Sequence, residues 1–239
     1  MSVDNDFSVG SIPGHIINLA IPMTLAQLVQ MAYNLVDRIY IGHLPGTSSI
    51  ALTGLGLTFP IITIIMAFTN LFSTGGVALY SIARGKQDEA AERRFMENSF
   101  LMLLLTSLVV MVLCFVFMHP ILYLFGASDD TYPYSAAYLR IYLIGTPLVM
   151  LATGMNGFIN AQGYGKTGMF TILIGAVVNI ILDPIFIFVL DLGISGAAIA
   201  TIISQLLSVI WVLAFLTSRR SLTPLRVRQA RFNKSAIRQ

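Results

Sequence analysis

The chain has 239 residues, of which 56% are hydrophobic and only 10% charged, where a soluble domain carries roughly 25% charged residues. So little charge cannot cover a water-exposed surface, which excludes an ordinary soluble enzyme and leaves the bilayer as the solvent. The net charge is +3, but the basic residues are distributed as topology signals rather than as a nucleic-acid surface.

In chain order, residues 1–14 are polar and contain Asp4 and Asp6. They lack the basic stretch, short apolar core and small-residue cleavage site of a signal peptide and are expected to be a cytoplasmic N-terminus. Six apolar stretches follow, near 15–43, 51–81, 95–125, 134–161, 168–190 and 195–217. Each reaches the ~20 residues that a spanning helix needs. The expected fold is therefore an all-α integral membrane bundle of six transmembrane helices over 15–217, followed by a basic cytoplasmic linker or tail over 218–239. Pro22, Pro60 and Pro147 fall inside spans one, two and four and are expected as kinks. Gly75, Gly76, Gly175, Gly193 and Gly196 allow helices to approach closely. Cys114 is the single cysteine, so neither an intramolecular disulfide nor a cysteine metal site is expected.

Twelve of the fourteen basic residues lie between spans two and three, between spans four and five, or after span six. The intervening connections, 43–49, 126–133 and 191–194, hold none. The positive-inside rule then places both ends of the segment in the cytoplasm, with the protein crossing the plasma (inner) membrane an even number of times. The lipid bilayer is the expected partner of the basic residues, and no nucleic acid is expected.

Carboxylates inside a membrane span are expensive unless neutral, paired or wet, and each is a functional candidate. Asp37 lies six residues from the outer end of span one, roughly 9 Å deep, and Asp183 lies roughly 10 Å below the outer end of span five. Two acids from different spans thus fall at one depth. Gln30, Asn34 and Asp37 share a helical face, as do Asn179 and Asp183. Pro184 follows Asp183 and frees a backbone carbonyl one turn back. Acid, amide and carbonyl oxygens are hard ligands suited to Na⁺ or a proton. Span four adds Thr153, Asn156 and Asn160. Span six adds Thr201, Ser204, Gln205 and Ser208, residue types that also serve as hydrogen-bonding glue between helices. Arg38 is a candidate partner for Asp37, and Arg140 is expected to snorkel. No Walker-type loop, His-Glu-x-x-His or Gly-x-Ser-x-Gly occurs, so no enzyme activity and no cofactor beyond a coupling ion are expected.

Three stretches together carry a family resemblance: Asn34-Leu-Val-Asp37-Arg-Ile-Tyr-Ile-Gly42-His43, Asn160-Ala-Gln-Gly163-Tyr-Gly-Lys166-Thr167, and Asn179-Ile-Ile-Leu-Asp183-Pro184 with Gly193-Ile-Ser-Gly196 and Thr201 after it. In this order and spacing the chain resembles the multidrug and toxic compound extrusion (MATE) family from about Ile12 to Ser218. The resemblance implies one lobe, the N-terminal one, of a twelve-helix pseudo-symmetric secondary transporter that exports cationic or amphipathic drugs by H⁺ or Na⁺ antiport. It implies ion coupling at Asp37, Asn179, Asp183 and Thr201, with a fourth-helix polar residue at Asn156 or Thr153. Na⁺, if it is the coupling ion, would meet Asp37, Asn179 and Asp183. Tyr33 is implied as a substrate contact beside Gln30, Asn34 and Thr153, and Pro22 and Pro184 are candidate hinges. The missing second lobe, from the same chain or a second copy, is the implied partner. Alternatives are a lipid-linked oligosaccharide flippase of the same superfamily and a non-transporting membrane subunit.

Overall fold

The computed structural model describes residues 11–44 and 48–227. Helix α1 spans Ile12–Gly42, α2 Ser48–Gly85, α3 Glu89–Val116, α4 Met118–Leu124, α5 Tyr132–Ala161, α6 Gly165–Pro184 and α7 Gly193–Thr217. No strand occurs among the described residues. Six of the helices are long and apolar enough to cross a bilayer, so this is a multi-pass membrane protein.

Local chemistry sets the helix ends. Ser11 caps α1 by accepting a hydrogen bond from the Gly14 amide, and Pro13 occupies its first turn, where a missing N–H costs nothing. Asp88 caps α3 by accepting from the Ala91 amide at 2.9 Å. That cap starts α3 at Glu89, six residues before the expected span, and brings Glu89, Glu92, Arg93 and Arg94 into the helix. Pro22, Pro60 and Pro147 sit inside α1, α2 and α5, each of which continues through its proline as one helix.

The third apolar stretch departs from expectation. A single span over 95–125 was expected, whereas the helix ends at Val116 and a separate seven-residue helix, α4, follows Phe117. Pro120 accounts for the break. It has no N–H to give the Val116 carbonyl, and its ring crowds that carbonyl.

Helix α5 is the axis of the bundle and packs against α2, α3 and α7, while α1 lies mainly along α6. The core is continuous through Leu103, Leu139, Leu143, Met150, Met155 and Phe158, all fully buried. Large apolar residues such as Met31, Leu71, Val116 and Ile144 are exposed instead, as a surface meeting lipid tails requires.

Where a polar linker begins after α7, the chain turns back onto the bundle. The Leu225 amide donates to the Leu216 carbonyl at 2.8 Å. The Ser221 hydroxyl and the Leu222 amide both donate to the Gln162 side-chain oxygen, at 3.0 and 2.9 Å. The Tyr80 hydroxyl donates to Thr223 Oγ1 at 3.1 Å, and Thr223 donates in turn to Glu92. Ser221, Thr223 and Leu225 are buried, so this strap ties the ends of α2, α3 and α5 together. Arg228, Arg231, Lys234 and Arg238 lie outside the described residues, as do residues 1–10 at the other end.

Candidate ion and substrate site

Helices α1 and α6 lie side by side, and this pairing places the carboxylates. The Asn179–Asp183 spacing holds across the helix: Asn179 Nδ2 donates to Asp183 Oδ1 at 3.1 Å. Both residues are sealed, at 1% and 0% exposure. The remaining oxygens, Asn179 Oδ1 and Asp183 Oδ2, are buried with no hydrogen-bond partner, and so is Asp37 Oδ1 on α1. Asp37 lies on the helix that packs along α6. Three buried oxygens on two packed helices thus lack a donor, a costly state that a proton or a small hard cation would relieve.

Just past Asp183 the helix widens. Pro184 stays helical (φ −62°, ψ −30°), and Ile185–Val189 form a π-helical turn, so the helix changes pitch after this proline. Such turns are common at functional sites. Gly196 of α7 lies directly against this turn: a Cβ there would sit 2.6 Å from the backbone carbon and oxygen of Phe186.

Asp37 opens onto a cavity of about 190 Å³ that also meets Thr201, Tyr33, Asn34, Gln30 and Thr153. Six sequence candidates from α1, α5 and α7 are thereby brought to one space. Arg38 lines its edge, with its guanidinium 4.6 Å from the Phe59 ring centre. This cation–π stacking gives it a partner other than the neighbouring Asp37. Tyr138 and Tyr142, stacked at 6.0 Å, form part of the wall. They escaped the sequence reading, although their four-residue spacing on α5 was a visible signal.

A second cavity, about 410 Å³, shares Gln30, Tyr33, Thr153 and Gln205 with the first and continues to Asn70, Thr74, Asn156 and Asn160. Asn156 lies here, apart from the carboxylates. Its Nδ2 donates to the Gly168 carbonyl at 3.2 Å, and its Oδ1 accepts from Thr171 at 2.9 Å, so it bolts α5 to α6. Ser208 does the same for α7 by donating to the Thr171 carbonyl at 3.1 Å. Pro22 is buried in the unbroken α1, and Arg140 is exposed. Among the described residues no three His, Cys, Asp or Glu side chains cluster. The donors at the carboxylate pair are carboxylate and amide oxygens, the set preferred by hard cations.

The profile of the MatE family matches residues 22–185, across α1 to α6 and the carboxylate pair. The chain belongs to the MatE family. It is 29% identical over 233 residues to the multidrug export protein MepA of Staphylococcus haemolyticus, an alignment covering 98% of this chain and 51% of that protein. A MATE crystal structure in a bent conformation superimposes with a TM-score of 0.87 at 24% identity, covering 95% of this chain and 50% of the other. A MATE structure in a straight conformation fits almost equally well, with a TM-score of 0.85 at 24% identity over 93% and 49%. Those two likenesses establish the fold. The chain spans about half the length of the relatives it matches.

Proposed function

We propose that this chain is the N-terminal half of a secondary active exporter that expels cationic or amphipathic compounds in exchange for H⁺ or Na⁺. The observation that carries this reading is the set of unpartnered, buried oxygens on Asp37, Asn179 and Asp183 beside a polar, aromatic-walled cavity. Asp37, at the cavity wall, takes the incoming proton or Na⁺. Asp183 and Asn179 hold it out of contact with water, and Thr201 offers a hydroxyl on the facing helix. Asn156 enters the reading as the tie that sets α6 against α5. Tyr33, Gln30, Asn34 and Thr153 face the cargo, with the rings of Tyr138 and Tyr142 behind them. Aromatic faces and a neighbouring carboxylate attract an organic cation.

Ion and drug then compete for one charge balance. When the carboxylates are neutralised they lose their attraction for a cationic cargo, which leaves outward. Pro22, inside α1 and lacking an N–H, is the place where α1 yields. The basic connections support a cytoplasmic face at the α2–α3 and α5–α6 ends, in the inner membrane. The length relation supports a second six-helix half, from the same protein or a second copy, as the partner completing the pathway. A flippase for anionic lipid-linked sugars would need a basic cavity, whereas the cation at this one, Arg38, is already stacked on Phe59.

The test is ethidium efflux from cells. This chain alone, a form extended through its native downstream sequence, and Asp183→Asn in whichever is active are compared. Ion-dependent efflux abolished by Asp183→Asn is the expected result. Undiminished, ion-dependent efflux by that variant would sink the reading.

A further inference from the structure

Helices α2 and α3 leave a groove between them that the transport reading does not use. Its deeper part, about 500 Å³, runs along Leu71, Gly75, Leu79 and Met102. Its outer part, about 440 Å³, runs along Ile82 and Ala83 to Lys86 and Arg94. Leu79 and Phe95 line both, so the two form one channel. Each volume lies in the ~300–1,000 Å³ range of small-molecule sites.

The geometry points to a seat for one anionic glycerophospholipid, with an acyl chain between α2 and α3 and its phosphate at Lys86 and Arg94. Length is the first argument. From Leu71 to Ala83 the groove follows α2 for twelve residues, roughly 18 Å, close to the ~15 Å of a single leaflet's hydrocarbon. Polarity is the second. The walls are mostly apolar along the deeper part, with Asn98 and Ser99 of α3 as its polar lining, and two exposed basic side chains stand at the outer end of the groove. Charge balance is the third. Asp88 also lines this end, but its Oδ1 is held by the Ala91 amide as the cap of α3. Two cations against one engaged carboxylate leave a single positive charge, the complement of a phosphodiester. A choline headgroup would bring its own cation against the same pair, so the site favours lipids with a net negative charge. Gly75 faces this open space, since a Cβ built there meets no atom within 4 Å, so a large side chain at this position would occupy the groove.

The experiment uses the 239-residue chain, delipidated in detergent and titrated with phosphatidylglycerol or phosphatidylcholine, with retained lipid read by native mass spectrometry. One phosphatidylglycerol should be kept at concentrations on the order of tenfold lower than phosphatidylcholine, as expected of two basic side chains at a lipid surface. Lys86→Gln with Arg94→Gln should erase that preference, whereas Arg219→Gln with Arg220→Gln, also on the basic side, should keep it. Gly75→Leu should fill the deeper groove and lower retention without lowering the melting temperature of the lipid-free protein. Several results would overturn the assignment. These are equal retention of the two lipids, a preference that survives loss of Lys86 and Arg94 or falls with the tail variant, undiminished retention in Gly75→Leu, or a dimer seated on the groove and broken by Gly75→Leu.

Discussion

Asp183 and Asn179 illustrate what can be read at the level of a residue. Their four-residue spacing and the depth arithmetic with Asp37 were visible in the sequence, because both follow from the geometry of a single helix. The environment was not visible. That Asp183 is sealed at 0% exposure while Asp37 reaches a cavity depends on how α1, α6 and α7 meet. The same limit hid the engagement of Asn156, whose partners on α6 are set by inter-helix register. Two substitutions separate these roles. Asp183→Asn keeps an oxygen to accept from Asn179, so the fold should hold with a melting temperature at or above that of the parent. Ion-driven exchange should fall by more than about tenfold, a loss of ~1.4 kcal/mol or more in the barrier-determining step. Asn156→Leu should do the reverse. Two interhelical hydrogen bonds at ~0.6 kcal/mol each place its cost near 1 kcal/mol in denaturant titration, with ion affinity measured by calorimetry unchanged. A drop in ion affinity in Asn156→Leu would make Asn156 a ligand after all.

At the level of elements, periodicity and length located all six spans, and the departures fall at the Asp88 cap, which starts α3 early, and where proline changes the backbone. Pro120 ended α3 early because a missing N–H acts one turn back, and a run of apolar residues masked it. Pro184 widened α6 into a π-turn, since α7 is packed tightly enough against Phe186 to hold the irregular turn in place. Gly196 is the residue that permits this contact. Gly196→Ala should force the two backbones apart and destabilise the protein by about 1–3 kcal/mol, the usual cost of overpacking. Because the displaced turn directly follows Asp183, ion affinity should fall with it. Unchanged thermal unfolding in Gly196→Ala would mean that the contact at Phe186 is looser than it stands here.

At the level of the whole molecule, composition was enough to identify a membrane bundle, since no other solvent suits a chain with 10% charge. The strap at residues 218–227 was not foreseeable. Its sequence is polar and basic like any linker, and only the fold brings Gln162, Tyr80 and Glu92 within reach of Ser221, Leu222 and Thr223. The strap joins the ends of α2, α3 and α5 at the face opposite the carboxylates, leaving α1 outside the tie. For the proposed exchange this gives a physical reason for α1 to be the helix that moves: it lies mainly along α6, whereas the strap binds the ends of α2, α3 and α5 together after α7. Thr223→Val removes the hydroxyl between Tyr80 and Glu92 and leaves the buried carboxylate one hydrogen bond short, at a cost of about 1–3 kcal/mol. If the strap is what holds those ends rigid, amide exchange should rise together at the strapped ends of α2 and α3 in Thr223→Val and remain unchanged near Asp183. Pro22→Ala should leave those ends protected and slow ion-driven efflux, with ion binding intact. Increased exchange around Asp183 in Thr223→Val would instead show that the strap and the carboxylate site belong to one cooperative unit, and α1 would then have no fixed frame against which to bend.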